Sequence, residues 1–95
     1  MITADIRRLL EPAIAELKAA GATSVYVFGS VAASGSLRPG GDVDLAVTGV
    51  PPGGFYRALG RVMGAVPCGV DLIDLDRPTP FARLLRERND LVRID

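Results

Sequence analysis

The sequence has 95 residues, enough for one domain over residues 1–95, and 48% of them are apolar, so the chain can bury a core. Eleven basic residues balance eleven acidic ones, and this zero net charge argues against nucleic-acid binding through bulk charge. The chain has no histidine and one cysteine, which excludes Ser-His-Asp chemistry, histidine metal sites and an internal disulfide. No segment resembles a signal peptide or a membrane span, so we expect a soluble, cytoplasmic protein.

The first predicted element is an amphipathic helix over residues 3–19. Its apolar residues recur at helical spacing: Ile2, Ile6, Leu9, Leu10, Ala13, Ile14 and Leu17. Thr3 is a suitable N-cap and Gly21 a suitable stop. Pro12 lacks an N–H and crowds the carbonyl four residues before it, so we expect a kink near Glu11 or two short helices.

Two strands with a Gly/Ser-rich connection follow this helix. The apolar run at Ser24–Phe28 predicts the first strand, and Asp42–Thr48 the second. Between them, Gly29 allows a tight turn and a close approach of a ligand to the backbone. Ser30 is expected to cap a short helix over about residues 31–33, where its hydroxyl and free N–H groups could bind an anion.

Asp42 and Asp44 open the second strand and, with a period of two, share one face of it. At about 5–7 Å, two such charges repel by about 2–3 kcal/mol at an effective dielectric constant of 20. A turn after Gly41 explains Asp42 alone, but an aspartate at position 44, inside a strand, is unfavourable. Mg²⁺ is the usual partner of such oxygen ligands, so the pair predicts a metal site.

The remaining elements alternate between helix and strand. They are a helix at Phe55–Val66 with Phe55, Leu59, Val62, Met63 and Val66 on one side, a strand at Val70–Leu75, a helix at Pro80–Arg88 capped by Thr79, and a short closing strand at Leu91–Ile94. Strand alternation puts Asp71 on one face and Asp74 on the other, which favours Asp71 as the third carboxylate of the site. Asp74 and Asp76 are otherwise interpreted as a solvated strand end paired with Arg77.

This set of residues resembles the signature of the polymerase-beta-like nucleotidyltransferase superfamily. It is most similar to the minimal nucleotidyltransferases, small antitoxin-type proteins encoded beside HEPN-domain partners. The matching residues occur in order along nearly the whole chain: Phe28-Gly29-Ser30, Arg38-Pro39, Asp42-Val43-Asp44-Leu45 and Val70-Asp71-Leu72-Ile73. The resemblance implies a palm-like α/β core in which helices cover a small mixed sheet, and the order of predicted elements agrees with it.

The resemblance also implies an activity, the Mg²⁺-dependent transfer of AMP from ATP to a hydroxyl group of a partner protein, with a tyrosine of a HEPN toxin as the candidate. Asp42, Asp44 and Asp71 would hold two Mg²⁺ ions and the nucleotide phosphates, and Asp71 would also accept a proton. Gly29 and Ser30 would bind the leaving phosphates, while Arg38 either contacts a phosphate or is a solvated loop cation. We expect a helical HEPN-type partner or a second copy to complete the site.

Two other functions remain open from the sequence. The segment between Ser30 and Asp42 is one residue longer than the usual pattern, and Ala33 and Ser34 stand where relatives often carry an arginine. This change favours a non-catalytic antitoxin, a binding module that neutralises its partner by contact. Alternatively, the chain could be the catalytic half of a split small-molecule nucleotidyltransferase.

Overall fold

The computed structural model describes residues 2–95, which form a layered α/β fold. Its elements are α1 (Ala4–Ala19), β1 (Ser24–Phe28), α2 (Gly29–Ser34), β2 (Asp42–Thr48), a 3₁₀ turn (Pro52–Gly54), α3 (Phe55–Ala65), β3 (Gly69–Asp74), α4 (Pro80–Arg88) and β4 (Val92–Arg93). The four strands of this part of the chain lie in the order β3-β2-β1-β4. β2 and β3 are parallel and the other pairs are antiparallel, which confirms the predicted mixed sheet.

The two faces of the sheet differ in what covers them. α1 and α3 pack against one face, where Val43, Leu45 and Val47 of β2 are fully buried. α4 packs against part of the other face through Ala82 and Leu85. Because side chains alternate along β2, its two aspartates share one face, as predicted, and the structure shows that this face is the α4 side.

Of the two expectations for Pro12, the one of two short helices is wrong, because one continuous helix runs through it. The kink near Glu11 stays a prediction. Pro12 lies on the exposed side of α1, so the carbonyl it leaves without a donor can be hydrated. The predicted ends are confirmed. Thr3 Oγ1 accepts a hydrogen bond from the Ile6 N–H at 3.2 Å, and Gly21, with φ +108°, follows the last helical turn.

Three smaller expectations also need correction. Ser30 does not cap α2: the cap position is Phe28, and Ser30 lies in the first turn, because Gly29 with φ +73° turns the chain directly after β1. On α3, Met63 is 54% exposed rather than packed, whereas Val62 is buried as predicted and Ala58 is buried as well. The third strand begins and ends one residue earlier than predicted.

A cluster of polar contacts fastens the end of the sequence to β1 and α1. The side chain of Asp95 is only 3% exposed, although its backbone is open to solvent. It accepts hydrogen bonds from the Val25 N–H and from Arg93 Nε, both at 2.9 Å, and forms an ion pair with Lys18. These contacts hold β4 against the sheet. Within residues 2–95, the helices are too short or too polar to cross a bilayer.

Candidate active site

One corner of the sheet brings together the end of β1 and the starts of β2 and β3. Phe28 pairs with Asp44 across the antiparallel β1–β2 ladder, and Asp44 pairs with Asp71 across the parallel β2–β3 ladder. Asp42 pairs with Gly69 two residues earlier on the same two strands. The three aspartates predicted from the sequence are therefore neighbours, and the Gly29 turn follows directly after β1 beside them.

The Asp44 carboxyl lies in an environment that opposes its charge. Its burial, together with the neighbouring Asp71 and Asp42 carboxylates, raises the pKa of Asp44 above its ordinary value. Cations do not offset this repulsion. In the described residues, ion pairs are formed by the carboxylates of Asp5, Asp76, Asp90 and Asp95, and none of them involves Asp42, Asp44 or Asp71.

Two glycines make the room that these carboxylates occupy. A Cβ atom on Gly29 would overlap Asp44 Oδ2 and lie 3.2 Å from Asp44 Cγ. A Cβ atom on Gly69 would overlap Asp42 Oδ1 and lie 2.9 Å from Asp42 Cγ. Gly69 is thus a part of the site that sequence reasoning missed. In the sequence, a glycine at the start of a strand also fits an ordinary turn. Only its pairing with Asp42 shows that Gly69 makes room for that carboxylate.

A pocket of about 500 Å³ adjoins Asp42 on the side of α2. Its lining combines polar residues, Ser30, Ser34, Ser36, Arg38 and Asp42, with Val31, Ala33, Leu37 and Gly41. Ser30 and Arg38 are exposed, and the Arg38 guanidinium forms no hydrogen bond or ion pair with residues 2–95. The hydroxyl groups and this cation are the kinds of donor that bind phosphate oxygens.

An apolar pocket of about 320 Å³ adjoins the other two aspartates. Apart from Asp44 and Asp71, its lining is apolar: Phe28, Leu59, Val70, Leu72, Ile73 and Phe81. Sequence reasoning did not place Phe81 here, because the position of α4 over this face of the sheet depends on the tertiary fold.

Asp74 and Asp76 serve the fold. The predicted solvated strand end paired with Arg77 is wrong for Asp74, which is buried. Asp76 is solvated as predicted, but the cation beside it is Arg86, at 4.0 Å, and not Arg77. The Asp74 side chain points to the other face of β3, is 8% exposed and accepts a hydrogen bond from the Asp76 N–H at 3.0 Å. Asp76 Oδ2 accepts one from the Gly49 N–H at 2.6 Å. Both carboxylates thus bind backbone groups of turns, away from the corner that holds Asp71.

The three aspartates do not form a ready-made metal cage. Across residues 2–95, no group of three or more His, Cys, Asp or Glu side chains is arranged so that it could hold a metal ion. Mg²⁺ often needs less from a protein, since it keeps several waters and binds one or two carboxylates together with substrate phosphates. The facing carboxylates of Asp44 and Asp71 fit that smaller demand, and metal binding by the three predicted residues stays a prediction.

Comparison with known proteins identifies the fold. No family model matches the sequence, and no curated protein matches it. Among solved structures, the chain is similar to one described as a crystal structure of a toxin-antitoxin with AMP-PNP. The TM-score is 0.69 at 18% identity, and the match covers 94% of this chain and 72% of that chain. The two proteins share a fold, in agreement with the small mixed sheet and covering helices predicted from the sequence.

Proposed function

We propose that this chain is the nucleotidyltransferase-type member of a toxin–antitoxin pair and transfers AMP from ATP to a hydroxyl group of its partner protein, with Mg²⁺. One observation carries the proposal. Asp44 and Asp71 face each other on adjacent parallel strands beside the Gly29 turn, and neither forms an ion pair within the described residues. The AMP-PNP in the structurally similar toxin-antitoxin supports a nucleotide as the ligand.

Asp44 and Asp71, with Asp42 beside them, would hold Mg²⁺. The chemistry of the donors fits this ion, because carboxylate oxygens are its usual protein ligands and unneutralised carboxylates gain most from a divalent cation. When bound, Mg²⁺ supplies charge that polarises a phosphoryl group and neutralises a developing anion. Its site would be completed by oxygens of the nucleotide.

The pocket beside α2 would bind the leaving phosphates of ATP. Arg38 can donate forked hydrogen bonds to a phosphate, and Ser30 adds a hydroxyl group next to Asp42. The β- and γ-phosphates would lie there, which puts the α-phosphorus near the aspartates. These residues orient the donor, and positioning of this kind is a large part of catalysis in phosphoryl transfer.

The transfer itself needs a base for the hydroxyl proton. The acceptor oxygen attacks the α-phosphorus and forms an O–P bond, while the bond from the α-phosphorus to the bridging oxygen of the β-phosphate breaks. Pyrophosphate leaves with that electron pair, and the acceptor proton passes to the carboxylate of Asp71. Asp71 is exposed and can therefore reach an incoming group, whereas Asp74 points to the opposite face.

A second candidate is a binding module that neutralises its partner by contact alone. The exposed side chains of Phe81 and Leu84 on α4, at 45% and 44%, provide a surface for such contact. In both candidates the partner is a protein, and a HEPN-type helical protein or a second copy of the chain remains the proposed occupant of this role.

A labelling experiment separates the two candidates. The chain, co-purified with its helical partner, is incubated with ATP labelled at the α-phosphate. We expect Mg²⁺-dependent labelling of the partner that is abolished by a chelator and by Asp44→Asn. Asp5→Asn is the matched control, because the Asp5 side chain is 91% exposed and lies far from the site in the sequence. A partner that is neutralised without any labelling would identify the contact mechanism.

A further inference from the structure

A further pocket adjoins the one beside α2 and has had no role so far. It has a volume of about 670 Å³ and lies between the loop before β2 and the turn before β3, where Cys68 lines it. We call it the Cys68 pocket. Leu37, Arg38 and Gly41 line both pockets, so the two meet along this loop.

The Asp42 carboxylate lies where the two pockets meet. Asp42 itself lines the pocket beside α2. On the other side, Gly69 lines the Cys68 pocket, and a Cβ atom on Gly69 would overlap Asp42 Oδ1. Burial, and after it the charge of Asp42, raises the pKa of the Cys68 thiol. A ligand that occupies both pockets therefore passes Asp42.

The walls of the Cys68 pocket suit an uncharged, flat group. Its larger side chains are apolar, namely Leu37, Pro39, Val66 and Pro67, and its side-chain polar atoms belong to Arg38 and Cys68 alone. No carboxylate lines it. Its volume and its mostly apolar lining are those of a small-molecule site, and a nucleotide base is the uncharged, flat part of ATP.

Continuity decides which pocket can take the base. The base and the triphosphate belong to one molecule, so their pockets must adjoin each other. The pocket that contains Asp44 and Asp71 shares no lining residue with the pocket beside α2, whereas the Cys68 pocket shares three with it. With the leaving phosphates beside α2 and the α-phosphate at the aspartates, the ribose and base continue past Asp42 into the Cys68 pocket.

We infer that the Cys68 pocket binds the base of the nucleotide and holds it by apolar contact, so that adenine and guanine bind almost equally well. The inference rests on the proposed function and adds to it the base subsite and its specificity. Arg38 is assigned to phosphate, and the apolar side chains cannot form hydrogen bonds with the edge of a base. A site built to hydrogen-bond its substrate can reject a mismatched analogue by about 10⁴-fold, and this pocket lacks the side chains for it.

The first test uses Cys68 as a reporter, because it is the one cysteine of the sequence. Its alkylation by iodoacetamide is timed with Mg²⁺ and saturating ATP, GTP or tripolyphosphate. ATP and GTP should slow the reaction at least about fivefold, because a bound base covers the thiol, and tripolyphosphate should leave it within about twofold. The control is Met63→Cys in a Cys68→Ala background: position 63 is exposed on α3, outside the pocket, and its alkylation should not respond.

The second test removes apolar contact area from the pocket. Pro67→Ala should raise the Kd for ATP and for GTP about threefold to tenfold and leave that for tripolyphosphate within about twofold, all measured by calorimetry with Mg²⁺. Pro78→Ala is the matched control, because Pro78 is exposed as Pro67 is and does not line the pocket. In the wild type, the Kd values for ATP and GTP should agree within about tenfold.

Three results would overturn the inference. They are equal slowing of Cys68 alkylation by ATP and tripolyphosphate, ATP binding that leaves this alkylation unchanged, and Kd values for ATP and GTP that differ by more than about tenfold. The outcomes also separate the inference from the proposed function. Slowing by ATP and GTP without AMP transfer to a partner would reject the proposed function and keep the subsite. Transfer without slowing would reject the subsite alone.

Discussion

Asp95 and Asp44 lie near opposite ends of β1, and the charges around them have opposite signs. Asp95 lies beside cations, and Asp44 lies beside other carboxylates. The hydrogen bond from Arg93, followed by those from Lys18 and the Val25 N–H, holds the pKa of Asp95 well below its ordinary value despite its burial. The pKa of Asp44 is raised by burial and by the Asp71 and Asp42 carboxylates. One carboxylate is fully provided with donors, whereas the other is placed beside two like charges.

This difference separates a stabilising group from a functional one. A carboxylate that gains donors on folding contributes to the free energy of unfolding, as Asp95 does. A carboxylate among like charges lowers that free energy, and its presence needs another reason, most often a ligand or a reaction. The same criterion divides the aspartates of β3, since Asp74 binds a backbone N–H, whereas Asp71 lies beside the Asp44 carboxyl.

The largest expected effect comes from replacing each of these two aspartates of β3 by asparagine in a separate variant. Asp71→Asn should lower the rate of AMP transfer at least about 100-fold, because it removes a proton acceptor and a proposed metal ligand. Asp74→Asn should stay within about threefold, because an amide oxygen can still accept the hydrogen bond from the Asp76 N–H. Initial rates with partner protein and labelled ATP measure both. Similar losses of rate in the two variants would show that Asp71 and Asp74 do not differ in role.

A glycine exchange tests whether the space at the site matters. Gly69→Ala puts a methyl group where the Asp42 carboxylate lies, so this side chain must move, and misplacement of about 1 Å can cost about 100-fold in rate. We expect a loss of transfer of tenfold or more, by the same assay, with little change in the melting temperature. Gly60→Ala in α3 is the control: nothing lies within 4 Å of its Cβ position, and alanine should raise the free energy of unfolding by about 0.5–1 kcal/mol. Equal activity in the two variants would show that Asp42 needs no fixed position.

The free energy of unfolding should depend on these sites in the opposite way from the rate of transfer, with a loss at Asp95 and none at Asp44. Asp95→Asn should lower the free energy of unfolding by about 1–3 kcal/mol, because it weakens charged hydrogen bonds to a side chain that is 3% exposed. Asp44→Asn should not lower it in metal-free buffer, because the variant relieves repulsion. Asp90→Asn is the control, since its ion pair with Arg88 is exposed and worth less than about 1 kcal/mol. Denaturant unfolding at pH 7 measures all three.

The pH dependence of the Asp95 contribution has a definite sign. Its pKa is lower in the folded chain than in the unfolded one, so the contribution is complete above the unfolded value of about 3.9 and is lost as the pH falls towards the folded value. The difference in unfolding free energy between the wild type and Asp95→Asn should therefore shrink between about pH 4 and pH 2. A difference that is constant over this range would mean that the Asp95 charge contributes nothing.

The elements were predictable where a local pattern decides them. The alternation along β2 placed Asp42 and Asp44 on one face, and Thr79-Pro80 located the start of α4. Pro12 misled because the cost of a missing hydrogen bond depends on whether water can replace it, which the sequence does not show. Of the candidate site, the proximity of Asp71 to Asp44 followed from alternation together with the resemblance.

The parts of the site that were missed depend on contacts between distant segments. Gly69 matters only because the parallel register of β2 and β3 puts it against Asp42. Phe81 lines the apolar pocket only because α4 packs on the face that carries the aspartates.

The central claim, that the aspartate corner is a metal-dependent nucleotide site, is tested most directly by calorimetric titration of ATP into the purified chain with and without Mg²⁺. The account predicts binding that requires Mg²⁺ in the wild type and in Asp74→Asn and is abolished in Asp44→Asn, with all three proteins folded. Equal affinity for ATP in the presence and absence of Mg²⁺, or unchanged binding by Asp44→Asn, would contradict it.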